Sequence, residues 1–100
     1  MIIESFEHWM PESTDKVTTE SWIRTIANPA MEKAGYTMVR WCWVDKPDGS
    51  PILLSFGEHE SQESLKQVWG RKEMQAAREQ FYALFPEAKV SRRTMQVIEG

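Results

Sequence analysis

Only one cysteine, Cys42, occurs in the 100-residue chain, so no intrachain disulfide can form, and nothing resembles a zinc ligand set. Long apolar runs are missing too. No stretch approaches the roughly 18 apolar residues that span a bilayer. The opening Met1-Ile2-Ile3-Glu4 has no basic segment ahead of an apolar one, as a secretion signal would. A reducing cytoplasm and no membrane are the expectation. A net charge of −3 offers no basic field to attract nucleic acid, and Arg71-Lys72 and Arg92-Arg93 are short enough to read as solvated surface. No Gly-rich phosphate loop, serine triad signature or carboxylate–histidine metal box is visible.

The remaining composition, 41% apolar and 27% charged, is that of one globular domain spanning residues 1–100. Five Trp and six Met stand out. An indole is costly to expose and its N–H seeks a partner, so this excess implies a packed core, a subunit interface or a pocket for a flat ligand.

Ile2 to Trp9 is rich in β-compatible residues and stops at Met10-Pro11, which predicts a first strand and a loop. Trp22, Ile23, Ile26, Ala27, Ala30, Met31 and Ala34 recur at the spacing of one helical face, with Thr18 or Thr19 as cap and Gly35 at the end. Pro29 falls inside that pattern and predicts a kink, with Asn28 as a second N-cap. Tyr36 to Val44 and Ile52 to Glu58 read as a hairpin about the turn Lys46-Pro47-Asp48-Gly49-Ser50. Ser61 or Ser64 can cap a second helical region. There Leu65, Val68 and Trp69 precede Gly70, and Met74, Ala77, Phe81, Leu84 and Phe85 follow it, ended by Pro86. Val90 to Ile98 forms the last strand.

The order strand, helix, strand, strand, helix, strand is that of the ferredoxin-like βαββαβ fold, an α+β architecture with a four-stranded antiparallel sheet in the order four, one, three, two. Both helical regions cover one face. The other face would expose an apolar patch unless a second copy covers it, which makes a homodimer the expected assembly. Ile2, Glu4, Phe6, His8 and Ile3, Ser5, Glu7, Trp9 are nearly equal in polarity, so either set can face the helices.

With that order and the second helical region in hand, the chain resembles the dimeric α+β barrel superfamily, most closely its antibiotic biosynthesis monooxygenase-like group. The likeness runs from Ile2 to Glu99. It is strongest over Ser64 to Phe85, a short helix, a Gly-containing break and an amphipathic helix opened by Lys72-Glu73-Met74-Gln75-Ala76-Ala77. The resemblance implies a homodimer with one pocket per subunit between sheet and helices. It implies an enzyme that needs no cofactor, a monooxygenase acting on a small aromatic or polyketide-like molecule. Non-catalytic binding modules and oxygen-independent cyclases or isomerases share the fold and stay open. Haem-degrading relatives carry an axial His on the second helix, where this chain reads Ala76-Ala77-Arg78-Glu79.

Two histidines are the candidate proton-transfer groups, because imidazole titrates near neutrality. In the inferred sheet they sit at opposite ends, on the order of 20 Å apart, and cannot form one dyad. His8 shares its edge with Trp9, Trp41 and Trp43, where a flat ligand can stack while His8 takes its proton. Arg40, flanked by Val39 and Trp41, is the candidate anion partner, with an exposed edge-strand arginine as the ordinary alternative. His59, beside Tyr36 and Gln96, is the second candidate base. Tyr82 lies off the apolar stripe of its helix and can line the pocket or touch a partner. Cys42, between two Trp in an apolar strand, is expected to be buried and inert.

Overall fold

Period-two alternation along Ile2–Trp9 produces β1, the strand on which the sheet is built. It pairs antiparallel with β3 (Ile52–His59) on one side and β4 (Lys89–Gln96) on the other, and β2 (Thr37–Val44) adds to β3, giving the order β2-β3-β1-β4. That is the expected ferredoxin-like sheet. The structure is a computed structural model and describes residues 1–44 and 50–98. The turn read at Lys46-Pro47-Asp48-Gly49 therefore lies outside the described residues.

Helices α1 (Lys16–Trp22) and α2 (Asn28–Lys33) are joined without a break by a π turn, Ile23–Ala27. The sequence points to Thr18 or Thr19 as the first cap, yet Asp15 takes that place, accepting from Val17 N at 3.0 Å and Thr18 Oγ1 at 2.8 Å. Thr19 turns inward and gives its hydroxyl to the Asp15 carbonyl at 2.9 Å. At the place where Pro29 predicts a kink the helix carries a π turn, in which the Asn28 N–H reaches the Ile23 carbonyl. A wider turn ahead of Pro29 spares the Thr25 carbonyl the clash that a regular turn would impose. Asn28 accordingly has helical φ −61 and ψ −47 instead of a cap conformation. Gly35, at φ +95, closes the helix in the left-handed conformation that only glycine adopts freely.

Helices α3 (Gln62–Val68) and α4 (Lys72–Leu84) follow β3. Ser61 and Ser64 form a reciprocal capping box at the start of α3, so both candidate serines take part. Met74, Ala77 and Phe81 turn inward from α4, while Leu84 is half exposed.

All helices lie on one face of the sheet. The even residues of β1, Ile2, Glu4, Phe6 and His8, point toward them, which settles the alternation left open by composition. Ile2, Glu4 and His8 are buried, as are their cross-strand neighbours His59 and Leu53. Two apolar clusters fill the layer between. One gathers around Ile2, Met31, Leu65, Val68 and Met74, the other around Met10, Trp22, Ile23, Leu53 and Phe81. The opposite face carries Ile3, Trp9, Leu54, Phe56 and Val44, and among the described residues no helix lies over it. Among the described residues no helix is long and apolar enough to cross a membrane.

Candidate functional site

A cavity of about 380 Å³ lies between sheet and helices where the two apolar clusters meet. Its floor is the inner face of the sheet, with Phe6 and His8 from β1, Trp41 from β2, Ser55 from β3, and Val90 and Arg92 from β4. The first helical segments contribute Trp22, Ala27 and Met31, Trp69 closes the end of α3, and α4 supplies Met74, Arg78, Phe81 and Tyr82.

His8 is held in a single orientation. Its Nδ1 lies 2.9 Å from the Leu53 carbonyl oxygen, and because a carbonyl only accepts, Nδ1 carries the proton and Nε2 the lone pair. Burial pushes the pKa of this imidazole below its ordinary value of 6.5, and the bond to Leu53 opposes that shift without cancelling it. The ring stacks on Trp41, centroids 5.6 Å apart, and meets the edge of Phe81 at 5.1 Å. Trp41 is fixed in turn, its Nε1–H donating to Asn28 Oδ1 at 2.8 Å from the helix side.

A second polar group, Glu4, holds two of the lining residues, Trp69 and Arg92. Glu4 is 1% exposed, yet its carboxylate accepts from Trp69 Nε1 at 3.2 and 3.1 Å, from Arg92 Nε at 2.6 Å and from the Tyr36 hydroxyl. Arg92 Nη2 closes the ion pair at 2.6 Å from the same carboxylate. Buried charge is tolerated only when so compensated. Burial first, then the bond to Glu4 and its charge, push the Tyr36 pKa well up, so this phenol stays protonated. Gly57 of β3 makes room for it, since a Cβ there would lie 2.9 Å from the Tyr36 ring.

The two histidines lie at opposite ends of the sheet, as the topology predicts: His8 faces Leu53 in the register and His59 faces Ile2. His59 is buried beside Tyr36, ring centroids 5.5 Å apart, with Nδ1 2.8 Å from Ser64 Oγ, and neither His59 nor Tyr36 lines the cavity. Of the residues expected around His8, Trp41 is in contact and Tyr82 lines the cavity mouth, half exposed. Trp43 shares the inner face but packs on the second cluster, with the Lys16 ammonium 5.0 Å above its ring.

Trp9 and Arg40 stand on the opposite face of the sheet, Arg40 paired with Phe56 and exposed. The arginines at the cavity are Arg78 and Arg92. Arg92 is exposed, as its sequence context suggests, but also pairs with the buried Glu4, and Cys42, expected to be buried, is exposed because it shares the face of Arg40. Sequence reasoning missed Glu4, Trp22, Ser55, Arg78 and Arg92. Partners for Glu4 come from residues 36, 69 and 92, and no local pattern signals such a meeting.

Comparison of the whole fold with solved structures places this architecture. SnoaB, a cofactor-independent oxygenase from Streptomyces nogalater, superposes with a TM-score of 0.70 at 9% identity, over 99% of this chain and 94% of that one. The fold is that of the antibiotic biosynthesis monooxygenase-like proteins. A candidate antibiotic biosynthesis monooxygenase from Caulobacter crescentus gives 0.70 at 13% identity, over 98% and 91% of the two chains. An EthD family protein from Bacillus halodurans gives 0.75 at 15%, over 98% and 100%. No family model matches the chain, and no curated protein matches it in sequence. At these identities the likeness establishes the ferredoxin-like fold alone.

Proposed function

We propose that the chain is a cofactor-independent monooxygenase-like enzyme for a small aromatic or polyketide-like substrate, with His8 as general base. One observation carries this reading: a neutral imidazole, pinned through Nδ1 and with its lone pair on Nε2, forms part of a cavity walled by aromatic rings. A flat substrate can stack there on Trp41 and Phe81 and present an acidic C–H or O–H to Nε2. Burial weakens His8 as a base, so transfer becomes favourable only if the substrate anion is stabilised. The Arg78 and Arg92 guanidinium groups supply positive charge at the same cavity, with Arg92 shared by Glu4.

The deprotonated substrate is electron-rich enough to reduce dioxygen directly. For an anthrone, one oxygen atom ends as the new carbonyl in place of the methylene, and the other leaves as water with its two hydrogens. Such chemistry asks the protein for binding, proton transfer and exclusion of bulk water. The uncovered sheet face, with Ile3, Leu54 and Phe56, supports pairing with a second copy as the assembly.

Oxygen uptake by metal-free protein with anthrones, quinols and polyphenols tests the reading. His8→Ala is expected to lower the rate by about 10²- to 10⁴-fold while His59→Ala leaves most of it. No uptake across the panel, or uptake indifferent to His8, would overturn it. Substrate consumed without oxygen would assign a cyclase or isomerase instead.

A further inference from the structure

Two polar groups in the cavity wall have no hydrogen-bond partner among the described residues. The Trp22 indole N–H and the Ser55 hydroxyl are buried without a hydrogen bond, at residues only 7% and 1% exposed, and both residues line the cavity. Elsewhere in that wall the demand is met: Trp41 donates to Asn28, Trp69 to Glu4 and His8 to Leu53. More than nine in ten buried polar groups in folded proteins are paired, so two unpaired groups in one wall call for an explanation. Their placement gives one. Ser55 faces Trp41 across the β2–β3 register, and the Trp22 ring meets Trp41 edge-on at 5.7 Å. Trp41 is also the ring on which His8 stacks. Both unpaired groups therefore flank the same indole as the candidate base.

We infer that Trp22 and Ser55 form a polar subsite for an oxygen atom of the cavity's aromatic occupant. This rests on the reading of the cavity as a small-molecule site and narrows the class of molecule. An indole N–H only donates, so the group that meets Trp22 must be an acceptor, a carbonyl or a phenolate oxygen. The Ser55 hydroxyl donates to the same oxygen or accepts from a neighbouring hydroxyl. A hydrocarbon or an ammonium would leave Trp22 as unpaired as it stands. Ketones and phenols on a flat ring frame fit. When such a ketone loses a proton to His8, negative charge develops on its oxygen, where two neutral donors in a dry wall stabilise it most.

Tryptophan-fluorescence titrations of wild type, Ser55→Ala and Trp22→Phe with anthrone and with 9,10-dihydroanthracene, the same tricyclic frame without the oxygen, test the subsite. Wild type is expected to prefer anthrone by roughly tenfold or more, and each variant to lose about tenfold for anthrone while changing little for dihydroanthracene. In urea ligand-free Ser55→Ala should unfold at an unchanged or higher midpoint, because it deletes an unpaired buried polar group, whereas Trp22→Phe also loses buried apolar area from the core. A lowered midpoint for Ser55→Ala with an unchanged preference for anthrone would show the two groups to be structural, for instance bridged by a buried water, and would overturn the subsite. Equal wild-type affinity for both compounds would overturn it while sparing the cavity as a binding site. Affinity for neither would overturn both. Ser55→Ala, which removes a single oxygen, decides the matter should Trp22→Phe fail to fold.

Discussion

Glu4 and His8 project from the same face of the same strand, and burial treats them oppositely. The carboxylate is surrounded by donors from Tyr36, Trp69 and Arg92, whereas the imidazole, with one backbone acceptor and aromatic neighbours, is driven toward its neutral form. Stability should record that difference in His8. Its folded pKa lies below 6.5, the value expected when unfolded, so between the two the unfolded chain binds more protons and stability rises with pH. The contribution of neutral His8 is complete above 6.5 and is lost as pH falls through the folded value. Urea denaturation followed from about pH 5 to 7 should show that slope, and His8→Gln should flatten it. An unaltered slope in the variant would mean that His8 does not titrate in this way. His8 and Trp41 were legible from the sequence because the topology alone brings the ends of β1 and β2 to one edge. Glu4, Trp22 and Ser55 were not, since what distinguishes them is the presence or lack of partners far along the chain.

Strand β2 decides which tryptophans meet the cavity, and it does so through one irregularity. Thr37 pairs with Glu58 and Arg40 with Phe56, so Met38 and Val39 stand against Gly57 alone and an extra residue is accommodated between the pairs. Past it, Trp41 and Trp43 turn toward the helices, and Arg40 and Cys42 turn away. Strict alternation from Thr37 would reverse both sets, which is why the bulge governs the fate of Arg40. Met38 carries it at φ 55, a conformation that glycine or asparagine would have signalled in the sequence and methionine conceals. Its side chain is 61% exposed, so substitution there reports backbone cost more than packing. Met38→Val should lower stability by about 1–2 kcal/mol, because a β-branched residue resists positive φ. Met38→Gly should leave stability unchanged or raise it by up to about 1 kcal/mol. Equal losses in both variants, measured by urea denaturation, would place the cost in the methionine side chain instead. The π turn before Pro29 is a comparable device on the helix side, setting Asn28 against Trp41 where a kink had been expected.

At the scale of the whole molecule, a four-stranded sheet covered on one face leaves the other to be accounted for. The βαββαβ order was readable from periodicity because its elements are long and locally amphipathic, and the same reasoning foresaw an uncovered face without fixing its residues. The structure names them: Leu54 and Phe56 on β3 form its apolar middle, Val44 and Trp9 lie at one end and Ile3 at the other, and the charged Arg40, Glu58, Glu7, Arg93 and Lys89 stand among them. Apolar residues on an interior strand, with Arg40 at one edge and Lys89 and Arg93 at the other, fit the anatomy of a subunit interface. A second copy with the same patch can satisfy it by two-fold pairing, with no other partner required. Leu54 sits on β3, an interior strand, so an aspartate there would meet the partner's apolar surface while leaving the helix-side core untouched. Sedimentation of wild type at micromolar concentration should give a dimer, and Leu54→Asp a monomer with unchanged far-ultraviolet circular dichroism. The cavity lies on the other face, so the monomeric variant should still bind an aromatic ketone through Trp22 and Ser55. A wild-type monomer would remove the case for self-pairing, and a variant that lost both dimer and ligand together would show that the partner shapes the cavity.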